Sequence, residues 1–344
     1  PYTDLKVSGA WREGPHTGLY STIIVQVENL AKWAEVTGND PSQFILYLEG
    51  NPLKGIPLLI DKVTADKLHF VLQPSTESEA GWKNLLGSPS AYERNVSVTV
   101  GLENMSPLPS TAKVDITIIH KGWLWAYIGA TLFLLVLLVW LARKSDILRD
   151  AGPAPTMIDQ AGNTITLRKS YSLGRTQMAV WFVIVIATYV FIWMVTSSYG
   201  SLTGSVLALI GISAGTALGS AVIDVTKRNQ AQDQREKLLA EKSQIEADPA
   251  QKARLEQINQ ELAALDKAIS PQPTSGFILD ILSDANGVSF HRFQMAVWTV
   301  VLGFIFIVSG YHVLTMPDFP ETLLGLMGTS GGTYLGFKSP ENPS

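Results

Sequence analysis

Apolar residues run along this chain in two rhythms. Over residues 1–121 they alternate with polar ones, as at Val114, Ile116 and Ile118, in short runs broken by turn residues. The predicted strands cover 5–11, 20–27, 44–49, 56–63, 67–73, 95–102 and 113–120. Gly14-Pro15, Asn51-Pro52 and Ser88-Pro89 mark turns between them. About seven strands in this length predict an all-β, immunoglobulin-like sandwich. From residue 122 the alternation gives way to long unbroken apolar runs. Residues 122–142 are 21 uncharged positions, roughly 31 Å of helix, enough to cross the hydrocarbon core. Trp123, Trp125 and Tyr127 at one end and Trp140 at the other suit the two membrane interfaces.

Four further spans are predicted near 178–195, 205–223, 295–314 and 322–337. They form two hairpins whose sequences match without a gap, because residues 172–219 recur 117 positions later at 289–336. Ser172, Arg175, Gln177, Met178, Ala179, Val180 and Trp181 return as Ser289, Arg292, Gln294, Met295, Ala296, Val297 and Trp298. Gly211, Ser213, Gly215, Thr216, Leu218 and Gly219 return as Gly328, Ser330, Gly332, Thr333, Leu335 and Gly336. The short turns inside each hairpin lack Lys and Arg, whereas the connections 143–175 and 224–292 are rich in them. The positive-inside bias therefore predicts turns outside and connections inside. An odd number of spans then puts residues 1–121 outside, which calls for an export signal ahead of Pro1 that is cleaved.

The predicted organisation is an extracytoplasmic β-sandwich (1–121), a first span (122–142), a cytoplasmic linker (143–175) and a first hairpin (176–224). A cytoplasmic coiled-coil hairpin (225–275), an interfacial segment (276–292), a second hairpin (293–338) and a cytoplasmic tail (339–344) follow. Within the insert, Leu255, Ile258, Leu262, Leu265 and Ile269 step by three and four, a coiled-coil seam. Leu238 and Ile245 offer a matching stripe, with Asp248-Pro249 at the reversal, so the insert either folds on itself or packs between subunits. A small strand is expected at 165–167, after the Gly162-Asn163 turn. Residues 276–282 are too short to span and are expected to lie at the inner interface.

Composition narrows the function classes. A charged fraction of 16% and a positive mean hydropathy of +0.17 agree with a membrane protein. A net charge of -4 without a basic stripe argues against nucleic acid. The absence of cysteine removes disulfides, thiolate metal sites and thiol catalysis. His16, His69 and His120 are scattered, and His312 lies near the outer end of a span, so no metal or cofactor site and no catalytic constellation is expected. Asn95-Val-Ser97 and Asn104-Met-Ser106 match the glycosylation sequon by pattern alone. No acidic or basic residue falls inside a span, which argues against proton relays and ion-coupled carriers.

Three patterns in the hairpins bear on function. Gly211, Gly215 and Gly219, and again Gly328, Gly332 and Gly336, align on one helix face and invite close helix packing. Ser205, Ser213, Thr216, Ser220 and Asp224 form a polar stripe that, in an oligomer, could line a path ending in an acidic ring. The alternative is that these hydroxyls bond helix carbonyls or neighbouring helices. The common offset also predicts inner-face ion pairs Arg175–Asp224 and Arg292–Glu341.

Residues 283–298, SDANGVSFHRFQMAVW, and 323–341, LLGLMGTSGGTYLGFKSPE, resemble the end of a group of uncharacterised bacterial multi-pass membrane proteins. The resemblance implies a bacterial inner membrane and supplies no activity. The expectation is thus a non-enzymatic homo-oligomer in a lipid bilayer, with an outer domain open to a ligand or protein partner. Two functions fit: a channel lined by the third span, or a non-conducting scaffold or signalling protein that links outer binding to the inner coiled coil.

Overall fold

The structure is a computed structural model that describes residues 2–14, 18–60, 66–87, 89, 92–103, 105–158, 162–197, 202–246, 251–269, 272–284 and 287–339. It divides into two compact units. One contains Pro1–Thr131, Ala187–Ser201 and Ile307–Met316, and the other Leu132–Ile186, Leu202–Phe306 and Pro317–Ser344.

The first unit begins with β1 (Lys6–Glu13), β2 (Thr22–Glu28), helix α1 (Leu30–Thr37), β3 (Phe44–Leu48), β4 (Asn51–Leu53), β5 (Leu58–Ile60) and β6 (Lys67–Val71). Helix α2 (Glu79–Leu86), β7 (Glu93–Leu102) and β8 (Lys113–Thr117) complete it. Two four-stranded antiparallel sheets form, in the orders β1-β2-β6-β5 and β4-β3-β7-β8. Their alternation fills one core: Ile23, Val25 and Val27 point inward from β2, and Val96, Val98 and Val100 from β7. The strand expected at 56–63 is described only over Leu58–Ile60, since 61–65 lie outside the described residues. The periodicity missed both helices because each is only two turns long. Trp33 of α1 packs edge-on against Phe44 at 5.5 Å, and Trp82, Leu85 and Leu86 of α2 share a buried face by three- and four-residue spacing.

The remaining elements are mostly helical. Helix α3 (Lys121–Lys144) follows β8, and a two-stranded ladder of β9 (Thr156–Ile158) and β10 (Thr164–Thr166) lies within the next connection. Then come α4 (Leu173–Thr196), the 42-residue α5 (Gly204–Ile245), α6 (Lys252–Ile269) and the short α7 (Phe277–Leu282). The ladder β11 (Ser283–Asp284) and β12 (Gly287–Val288) precedes α8 (Phe290–Val313) and α9 (Glu321–Lys338). Four helices, α3, α4, α5 and α8, are long and apolar enough to cross a membrane. The expected fifth span falls on α9, whose 18 residues include five glycines and which is not among those four. Helix α3 buries none of its apolar window, so its sides are left for lipid.

In the inner part of the chain, α5 runs without a break into the predicted insert. Ile258 and Leu262 of α6 are buried against it, with Leu255, Leu265 and Ile269 half-buried beside them. The insert therefore folds on itself, while Asp248-Pro249 lies outside the described residues. Arg254 donates two hydrogen bonds to Glu241, at 2.7 and 2.9 Å, and Arg235 meets Asp266 at 2.5 Å. Bonding to Arg254 holds the Glu241 carboxyl below the ordinary glutamate range, so this clasp is lost only as pH falls through that lowered value. Helix α7 exposes Phe277, Ile278 and Leu279. Its buried Asp280 carboxylate accepts hydrogen bonds from Thr274 Oγ1 and from the Ser275 and Tyr171 N–H groups.

The β core also takes in side chains from the membrane helices. Val195 of α4 and Leu314, just beyond α8, are buried in the same cluster as the sheets, with Leu124, Phe191 and Met194 against it. Tyr311 donates to the Pro89 carbonyl at 3.1 Å. Ser197 and Leu314 occupy equivalent places 117 apart, and both are left-handed, with φ of 50° and 53°. Ser197 closes its helix with an N–H bond to the Trp193 carbonyl at 2.8 Å. A side chain in this conformation costs about 1 kcal/mol, which at Leu314 is offset by full burial of an isobutyl group. We expect opposite signs from one substitution at the two places. Ser197→Gly should stabilise by about 1 kcal/mol, and Leu314→Gly should destabilise by about 2 kcal/mol, because it empties a core site. Thermal melting of the detergent-solubilised variants by near-ultraviolet circular dichroism checks both.

Candidate functional site, the seam between two glycine-rich helices

The predicted polar stripe lies on α5, and α9 packs along it. Both helices run the same way through one unit, and small residues let them approach. A Cβ added at Gly331 of α9 would come within 2.7 Å of Thr216 Oγ1, and one at Gly219 of α5 within 2.8 Å of Leu335 Cδ1. At the N-terminal end, Thr203 caps α5 by accepting from the Val206 N–H at 3.4 Å. The Ser205 hydroxyl accepts from the Phe319 N–H at 3.0 Å and lies 3.1 Å from the Pro317 carbonyl. One turn of irregular backbone before α9 is thus tied to the start of α5.

Further along the stripe the hydroxyls turn inward and are used up. Ser213 donates to the Leu209 carbonyl and Thr216 to the Ile212 carbonyl, each at 2.8 Å. Ser213 and Ser220 are each only 1% exposed. Ser220 Oγ lies 3.1 Å from Tyr334 Oη and accepts from Lys338 Nζ at 2.6 Å. Lys338, 6% exposed, also donates to Asp224 Oδ2 at 2.8 Å, with Asp150 Oδ1 at 4.0 Å. The Tyr334 ring lies 5.8 Å from this ammonium and 5.4 Å from the Arg292 guanidinium. A buried ammonium costs several kcal/mol to desolvate, and the acid, the hydroxyl and the ring face together make its position tolerable.

This geometry corrects two expectations. The stripe Ser205, Ser213, Thr216, Ser220 does not face an open surface of the chain: α9 covers it and its polar atoms have partners inside the protein. Asp224 pairs with Lys338, not with Arg175, whose guanidinium donates to the Asp146 carbonyl at 3.3 Å. The physical reason is position along the helix. Lys338 lies level with Asp224 on the packed face of α9, and Arg175 begins a different helix. Glu341, and with it the expected Arg292–Glu341 pair, lies outside the described residues.

The glycine expectation needs a finer correction. Of the six aligned glycines, only Gly219 is approached among the described residues, and by a leucine side chain rather than a backbone. Gly211, Gly215, Gly328, Gly332 and Gly336 have open space where a Cβ would sit. Close helix approaches instead use Gly174, whose added Cβ would lie 3.1 Å from Ala217 Cα, and Gly331. Neither stands in the four-residue glycine register. Tyr334 and Lys338 also escaped the reading, although Ser330, Tyr334 and Lys338 recur every four residues and so share one face.

Arg175 and Arg292 differ in setting, as do the other paired entry residues. Gln177 is buried and donates to Thr299 Oγ1 at 3.0 Å, and Trp181 is buried beside Phe306. Their counterparts Gln294 and Trp298 are only half-buried. Among the described residues no group of three metal-ligating side chains comes together, and Asn95 of the first sequon donates to Asp115 at 2.7 Å while Asn104 and His16 lie outside the described residues. Comparison with family models, with characterised proteins and with solved structures finds no match to this chain.

Lys338 and Asp224 should behave as a coupled pair. Asp224→Asn leaves a buried ammonium half-compensated and should cost about 3 kcal/mol of stability. Lys338→Met combined with Asp224→Leu should recover most of that loss, because it removes both charges together. Thermal melts of the two single variants and the double variant give the cycle.

Proposed function

We propose that this is a non-conducting membrane protein that couples an outer β domain to a cytoplasmic helical hairpin. The observation that carries the reading is the fate of the α5 stripe, whose hydroxyls and acid are spent on α9, on helix carbonyls and on Lys338. A water-filled path needs polar groups left free to face it. Two features supply the coupling. Leu314 and Val195 place the outer ends of two membrane helices in the β core, and α5 continues as one helix from the apolar segment into the hairpin with α6.

The same reading holds that the chain makes five crossings of a bacterial inner membrane, with α9 as the fifth, residues 1–121 outside and the C-terminus in the cytoplasm. The Lys/Arg bias of the connections supports that orientation. It takes the outer domain as immunoglobulin-like. The support is its strand order: β1-β2-β6-β5 against β4-β3-β7-β8 is the A-B-E-D against C′-C-F-G arrangement of that class. Such a domain serves as a recognition module for a ligand or protein outside the membrane, with no catalysis of its own.

Two measurements test this. Proteoliposomes of the wild-type protein should pass no ions under voltage, tension or varied pH. A sustained current that Asp224→Asn changes would return the channel reading to first place. Hydrogen exchange of Leu314→Ala should then show faster exchange both in the β sheets and in α6. Faster exchange confined to the sheets would remove the coupling.

A further inference from the structure

The α5–α9 seam joins two matching helices through faces that do not match each other. Leu335 of α9 fills the space over Gly219 of α5, Thr216 of α5 lies against Gly331 of α9, and Ser220 of α5 bonds Lys338 of α9. Each contact has a counterpart pair of positions 117 residues away. The counterpart of the first is Leu218 with Gly336. Leu218 is 67% exposed, and nothing lies where a Cβ on Gly336 would sit. The counterpart of the second is Thr333 with Ala214, and of the third Phe337 with Ala221. Phe337 stacks on the His291 ring at 5.0 Å yet stays 56% exposed, and Thr333 has its hydroxyl satisfied by the Thr329 carbonyl, as Thr216 has by Ile212.

We propose that a second copy of this chain docks here, with Leu218 on α5 of one protomer set into Gly336 on α9 of its neighbour. The leucine-into-glycine contact is kept unchanged by the sequence. At the third contact the bulk stays on α9 although the residues differ. Within the chain a long side chain on α9, Lys338, meets small Ser220, and in the second junction bulky Phe337 on α9 meets small Ala221. Total volume is held while the polar end becomes apolar, which suits a junction facing hydrocarbon. Association in a bilayer depends on such packing, since lipid is as apolar as leucine. The two faces of α5, one towards its own α9 and one towards the neighbour, lie roughly 170° apart at 100° per residue, so one helix can serve both junctions at once.

The absence of cysteine makes the test direct. Thr333→Cys and Ala214→Cys chains, prepared separately and co-reconstituted, should form disulfide-linked dimers, and neither variant alone should do so. Dimers from one variant alone, or none from the mixture, would overturn the head-to-tail junction. Gly336→Leu and Gly219→Leu give an independent arm. Gly336→Leu fills a site that is open within the chain, so it should reduce the particle mass in mild detergent to that of one chain and leave the melting temperature of that chain unchanged. Gly219→Leu strikes the contact inside the chain and should lower the melting temperature. A wild-type particle of single-chain mass, or Gly336→Leu that keeps the wild-type oligomer mass, rejects the proposal.

Discussion

A hydroxyl or charge buried away from water must find its partner inside the protein. The seam between α5 and α9 is built around that constraint. Ser213 and Thr216 satisfy it locally, by bonding back to their own helix at 2.8 Å. Ser220 has Lys338 as donor, and Lys338 in turn needs Asp224. These bonds set which face of α5 meets α9 and at what height. The small residues then let the helices close, because Gly331 and Gly219 leave room for Thr216 and Leu335. Polar satisfaction supplies direction and glycine supplies distance. Either alone would leave the pair free to rotate.

A second constraint acts at the C-terminal ends of α4 and α8, where the chain must turn. Both helices end in a left-handed residue, and neither is glycine. Ser197 tolerates this as a short polar side chain. Leu314 tolerates it only because its side chain is fully buried in the β core. The turn and the outer core are therefore one structure: repacking the core would release the strained backbone, and straightening the backbone would withdraw a core leucine. Near it, Gly87 is held against the His312 backbone, with less room than a Cβ needs. Side chains from the ends of α4 and α8 thus join the core of the β domain.

Much of this was legible in residue order, and what was not has identifiable causes. Alternation located the strands because each has one face in the core, as in Ile23, Val25 and Val27. Unbroken apolar runs located four membrane-length helices for the same reason in another solvent. The self-folding insert was foreshadowed by Ile258 and Leu262. Helices α1 and α2 were missed because two turns are too few to show a period. The partner of Asp224 was missed because repeat symmetry drew attention to Arg175 and Glu341, whereas the contact breaks that symmetry. Periodicity reports which face of a helix is polar. It does not say whether the face meets water, a bilayer or another helix, and at Ser213 and Ser220 it meets a helix.

The two hairpins thus match in sequence without matching in their contacts. Position by position, the residues kept in both are those that shape helices: the glycines, Leu218 and Leu335, Thr216 and Thr333. The residues that differ are those that choose a partner. Ser220 is Phe337 in the second copy, and Tyr334 is Ala217 in the first. Those exchanges place the large polar groups on one side of the internal seam only. If the copies had stayed identical, a hydroxyl and a tyrosine would also stand at Phe337 and Ala217, and the outward faces would carry polar groups with no partner in the chain. Divergence at these few positions makes one junction polar and internal, and it leaves the matching one apolar and available at the surface.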